Sequence, residues 1–360
     1  MKKPIKAIMS SLAALAIVGC GTTTASEQPA TTAPETSASA ATITVVDDQK
    51  RSVELQLPVE RAVVLNSYAN EFVNAIGAGD AVVGTDRASQ RRLGYLNFSD
   101  AEIVAESIGE INYEAVVALD PDVVIIPRNG AWEDAAKQLE SFDIPVVVAT
   151  AWDYAVFHDT VDLLGQVFQK EDGAKALSAF YDEIFTLVKD RVAGTQAVRT
   201  YWETGEPFLT VLPGSGFHAI IEAANGDNVF TDFSVGASND GEATVDPVDV
   251  VERDPEVIIY EFEPSATPTG QANFDEISAE IAGREGFSQI TAVKDDRVYI
   301  ANGWTTSGLA KAIGALYLGK WLHPDKFTDV EPVTYLEKWV TEFQHTDFAG
   351  EEAYIQKAKR

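Results

Sequence analysis

The chain has 360 residues, with 56 Asp and Glu against 27 Lys and Arg, a formal net charge of −29, one cysteine and two methionines. At 46% hydrophobic and 23% charged it is long and apolar enough to bury a sizeable core, and far from a disordered composition. The acid excess argues against nucleic acid as a partner, since binding phosphate needs Lys/Arg stripes. The single cysteine excludes an internal disulfide framework, a thiolate zinc cluster and a CxxC redox pair.

Lys2, Lys3 and Lys6 form a basic head, followed by an apolar stretch over 5–18 that breaks at Gly19-Cys20. Those 14 residues fall short of the roughly 20 that span a bilayer, so residues 1–19 read as a cleaved export signal. Ile17-Val18-Gly19-Cys20 resembles a lipoprotein signal, which implies a diacylglycerol on the Cys20 thiol and a mature chain beginning there. Residues 20–42, rich in Thr, Ala, Ser and Pro, carry no large hydrophobic side chain and read as a flexible tether.

From residue 43 the pattern changes to short apolar runs separated by helix-like segments. Ala62-Val-Val-Leu65, Ala81-Val-Val-Gly84, Val123-Val-Ile-Ile126 and Pro145-Val-Val-Val148 are β-branched and too short for helices, as expected of buried parallel strands. Helical spacing over 68–76 and 131–142 completes an N-terminal α/β lobe of residues 43–168. Leu177, Phe180, Tyr181, Ile184, Leu187, Val188 and Val192 then fall on one face of a helix over 172–192, within a bridging segment 169–195. Strands at 198–203, 257–262 and 297–301, with helices between and a closing helical pair over 309–343, make a C-terminal lobe of 196–347 and leave a tail of 348–360. Residues 113–126 and 247–260 align without gaps: each has a Val-Val pair, an Asp-Pro stop, an acid and a β-branched strand. The architecture expected is two Rossmann-like βα lobes joined by one long helix, with a cleft between them.

This order of elements resembles the substrate-binding lipoproteins of ABC importers for ferric siderophores, haem and cobalamin. The resemblance rests on the opening segment 45–66, on Asn70-Glu71 before Gly77-Ala-Gly-Asp80, on Ile290-Thr-Ala-Val-Lys-Asp-Asp-Arg-Val-Tyr-Ile300, and on Lys320-Trp-Leu-His-Pro-Asp325. It implies an ABC permease and its ATPase subunits as partners, a lipid-anchored extracytoplasmic location, a monomer, and no enzymatic activity. It also implies an acid on each lobe that docks on the permease. Glu114 holds that place on the first lobe; Val248 departs from it on the second, where Asp249 or Asp246 could substitute.

Ligands of open α/β sheets bind beyond the carboxyl ends of the strands. Of twelve arginines, Arg87, Arg91, Arg92 and Arg128 fall on such loops, and their guanidinium groups suit carboxylate, catecholate or phosphate oxygens. Tyr68, Trp132, Trp152, Tyr154, Trp202 and Trp304 fall there too, flat surfaces for a ring-bearing ligand. His218, after Gly214-Ser-Gly-Phe, is placed to donate to an anion or ligate a metal. The four histidines are scattered and both methionines precede Cys20, which disfavours a naked metal ion and Met/His-ligated haem. No resident cofactor is expected. The ligand expected is a chelated metal, a ferric siderophore first and a corrinoid second. No GxSxG elbow or phosphate loop is present, and a carboxylate-based hydrolase stands as the rival class.

Overall fold

The computed structural model describes residues 41–233, 241–262, 270–306 and 311–359, apart from the side chains of residues 272, 304, 306 and 311. The expected signal, Cys20 and nearly all of the tether lie outside the described residues. Strand β1 (Ala41–Val46) already takes in the last two residues assigned to the tether and pairs antiparallel with β2 (Ser52–Leu57). The turn between them is pinned to the first lobe. Asp47 Oδ2 accepts from Val148 N at 3.2 Å, Asp48 N donates to Val148 O at 3.0 Å, and Arg51 donates to Val146 O at 2.9 Å.

The first lobe is a six-stranded sheet containing β3 (Ala62–Val64), β4 (Val82–Asp86), β5 (Ile103–Ser107), β6 (Glu110–Ile111), β7 (Val123–Ile126) and β8 (Val146–Val148). Their spatial order is β6-β5-β4-β3-β7-β8, parallel except for β6. The central strands are buried on both faces, so their side chains alternate between two apolar layers. Val64, Val123 and Ile125 pack with helices Ser67–Ala75 and Phe157–Phe168, while Val63, Val124 and Ile126 pack with helices Tyr113–Ala118 and Trp132–Leu139.

The second lobe is a seven-stranded mixed sheet of β9 (Val198–Thr204), β10 (Leu209–Val211), β11 (Gly226–Asn228), β12 (Glu242–Thr244), β13 (Val257–Phe262), β14 (Val298–Asn302) and β15 (Ile355–Lys357). β13 lies parallel between β9 and β14. β15 closes the edge antiparallel to β14, so the segment expected to be a tail is part of this sheet.

Helix Glu171–Val192 joins the lobes, with Leu177, Phe180, Tyr181, Ile184, Val188 and Val192 buried as the periodicity requires. One apolar cluster runs from Val64 and Ile125 through this helix to Trp202 and Ile259. Of the closing helices, Lys311–Leu322 stays with the second lobe, its Trp321 ring 4.3 Å from that of Tyr299 on β14, but the last one leaves it. Residues 332–343 lie against the first half of the bridging helix, with the Phe180 and Phe343 rings 4.8 Å apart. Buried Gln344 then enters the first lobe, donating to Glu71 O at 3.1 Å and accepting from Asn74 Nδ2 and Tyr95.

Candidate functional site

The ends of β3 and β4 are knitted into a rigid edge. Asn66 follows β3 with φ 145°, a positive value costly for a residue with a side chain, and its side chain caps helix Ser67–Ala75 by accepting from Tyr68 N and Ala69 N. Buried Asn70 donates to Val64 O at 3.0 Å and to Thr85 Oγ1 at 2.9 Å. Asp86 ends β4 and accepts from Ser89 N at 2.9 Å, which starts the short helix Arg87–Arg92. Tyr68 is therefore held half-buried on this edge.

The arginines separate into two kinds. Arg87 turns back onto its own lobe, 2.8 Å from Asp100 and 3.1 Å from Glu106, and these carboxylates hold its guanidinium above its ordinary pKa, Glu106 first. Arg91 is exposed and has no ion-pair partner among the described residues. Arg128, after β7, lies flat over Trp152, after β8, with its guanidinium carbon 4.6 Å from the ring centroid. Three bonds fix the pair: Arg128 Nη2 to Asp153 at 2.6 Å, Trp152 Nε1 to Asn129 Oδ1 at 3.1 Å, and Arg128 N to Thr150 Oγ1 at 3.2 Å. With its side chain 37% exposed, Arg128 presents a charged plane backed by an aromatic plane at the ligand end of the sheet.

The other aromatic positions serve different ends. Trp132 stacks under Arg51 of the hairpin at 4.6 Å and does not join Trp152. Tyr154 packs on Phe185 of the bridging helix with ring centroids 4.4 Å apart. It opens a groove of about 500 Å³ that continues past Lys189 to Glu222 of the second lobe. Trp202 was expected to face the ligand and is completely buried. Its register opposite Ile259 sends the indole into the core shared with the bridging helix, where Nε1 donates to buried Glu261 at 3.2 Å. His218 is mostly buried, with Nδ1 3.2 Å from Asn228 Nδ2 and Nε2 3.5 Å from Glu222, apart from the arginines. The Trp304 side chain lies outside the described residues. Among those residues no three His, Cys, Asp or Glu side chains gather to hold a metal ion.

Of the docking positions, Glu114 is exposed in the first turn of helix Tyr113–Ala118. Asp246 caps helix Pro247–Arg253, accepting from Val248 N at 2.8 Å, and Asp249 lies in the first turn of the same helix. Sequence reasoning missed Asp48, Arg51, Asn129 and Asp153, which fasten the hairpin and the Arg128–Trp152 pair. Asn129, adjacent to Arg128, and Asp153, adjacent to Trp152, carried the only signal.

Residues 63–303, from β3 to just past β14, match the periplasmic binding protein family. The chain belongs to that family. Among curated relatives, the molybdate-binding protein MolA of Haemophilus influenzae is 26% identical over 86% of this chain and 93% of its own length. The vitamin B12-binding protein of Vibrio parahaemolyticus is 28% identical over 56% of this chain and 70% of its own. Among solved structures, the TroA-like periplasmic binding protein FepB of Veillonella parvula superposes with a TM-score of 0.73, covering 88% of this chain and 100% of its own at 23% identity. As a periplasmic binding protein, the chain is the substrate-binding component of an ABC importer and works outside the cytoplasm.

Proposed function

We propose that this periplasmic binding protein captures a ferric-siderophore-type iron complex and passes it to an ABC permease driven by its ATPase subunits. The observation that carries the reading is Arg128 spread over Trp152 at the carboxyl end of the first sheet. A chelate with carboxylate or catecholate oxygens offers both a charge for the guanidinium and a ring for the indole. Exposed Arg91, in the short helix that follows β4, adds a second cation at the carboxyl end of the same sheet. In a chain at −29, cations at the ligand end of a sheet favour an anionic ligand. The metal arrives already chelated, and the protein reads the chelator. The continuous core through the bridging helix favours a largely preformed cleft with small hinge motion.

The same reading places the signal at 1–19, a lipid on Cys20 and a tether to residue 42, so that a monomer stands at the outer face of the cytoplasmic membrane. A corrinoid is the second reading, favoured by the similarity to the vitamin B12-binding protein of Vibrio parahaemolyticus. Tryptophan fluorescence titration against ferric hydroxamate, catecholate and carboxylate siderophores, haem, cobalamin and molybdate separates them. Saturable quenching by one ferric siderophore class supports the proposal; saturation by cobalamin or molybdate alone overturns it.

A further inference from the structure

The aligned fragments give the two lobes matching helices with opposite chemistry. Glu114 is the second residue of helix Tyr113–Ala118, capped by Asn112, and Val248 is the second residue of helix Pro247–Arg253, capped by Asp246. Both helices run into an Asp with positive φ, Asp120 at 46° and Asp254 at 45°, and then into a central strand. Glu114 offers a solvated carboxylate. Val248 is 60% exposed, the most exposed large hydrophobic side chain among the described residues.

Beside Val248 lies a pocket of about 530 Å³, walled by Phe208, Pro247, Val251 and Gly286. Its floor holds Arg284, whose charge is already spent. The guanidinium is 2.7 Å from buried Glu203 and 2.8 Å from Glu280, with its carbon 4.5 Å from the Phe208 ring and 5.2 Å from that of Phe287. The pocket therefore has an apolar wall and a neutralised floor. Asp246 and Glu285 stand beside it as an acidic rim.

We infer that the second lobe docks on the permease through this apolar socket, which takes a bulky hydrophobic side chain flanked by basic residues, whereas the first lobe offers the Glu114 carboxylate. The inference rests on the importer reading above. An exposed valine and an open apolar pocket lose their contact with water when such a side chain fills them, at about 25 cal/mol per Å². The acidic rim orients the flanking cations. The two ends of one binding protein then carry different contacts, which fixes the direction in which it sits on its transporter.

The test titrates the mature protein, without added ligand, onto its cognate permease–ATPase complex in nanodiscs. Val248→Glu, which copies the first lobe's acid, is expected to weaken binding at least tenfold, and Val248→Ile to stay within twofold of wild type. Both substitutions are at an exposed site, and unchanged thermal unfolding midpoints verify that the fold is intact. Binding of Val248→Glu as tight as wild type or tighter overturns the socket while leaving the importer reading standing. A wild-type protein that does not bind the complex overturns the importer reading, and the socket with it.

Discussion

Asp122 and Glu256 make the same bond at the same place in the two lobes. Asp122 Oδ2 accepts the backbone N–H of Arg61 at 2.8 Å at the start of β3, and Glu256 Oε2 accepts that of Arg199 at 3.1 Å on β9. The arginines return the contact: Arg61 donates to the carbonyls of Leu119 and Asp120, and Arg199 to that of Asp254. Asp122 also accepts from Glu60 N at 2.8 Å, so Asp122→Ala strands two donors at a partly exposed site. The expected cost is about 1 kcal/mol, or roughly 2 °C in the unfolding midpoint by calorimetry. Glu256→Ala, which frees one donor, should cost less.

Gly173 opens the bridging helix against the end of helix Ser67–Ala75. A Cβ there would stand 2.2 Å from Ile76 O, a backbone atom that cannot rotate away. Gly173→Ala should destabilise by roughly 1–3 kcal/mol in urea unfolding. Gly283→Ala is the control: its Cβ would meet nothing within 4 Å, and stability should hold or rise slightly.

The Arg284–Glu203 pair is buried, with side chains 6% and 1% exposed, and Tyr201 also donates to Glu203 at 2.9 Å. Arg284→Met leaves a carboxylate buried without its cation and should cost about 3–5 kcal/mol. Adding Glu203→Leu should recover most of that loss, which a double-mutant cycle measures directly.

Arg191, at the end of the bridging helix, binds Asp329 through two bonds of 2.5 and 2.8 Å. This pairing lowers the Asp329 pKa from 3.8 to about 2. Because the folded value lies below the unfolded one, the contribution is complete above pH 3.8 and is lost as pH falls through about 2. Carboxyl-carbon NMR should find Asp329 titrating near 2, and Arg191→Ala should return it toward 3.8.

The central strands and the bridging helix were legible because one physical signal dominated each. Val123–Ile126 is a β-branched run buried on both faces, and the spacing from Leu177 to Val192 is that of a single helical stripe. Edge strands such as Gly226–Asn228 and Ile355–Lys357 carry no such run, and exist because a neighbouring strand offers its bonds. Within the site, loop position put Arg128 and Trp152 at the carboxyl end of the sheet, but their stacking was not readable from it. The burial of Trp202 depends on strand register, and the pairing of Arg87 with Asp100 and Glu106 depends on how β4 and β5 align. Neither alignment is written in local sequence.

The most direct test of the ligand claim is calorimetric titration of a ferric catecholate siderophore into the wild-type protein and into Arg128→Ala. The account predicts saturable binding by the wild type and at least a tenfold loss in the variant, about 1.4 kcal/mol, with the unfolding midpoint unchanged. Equal affinity in the two proteins, or a wild type that ignores ferric siderophores while binding cobalamin or molybdate, would contradict it.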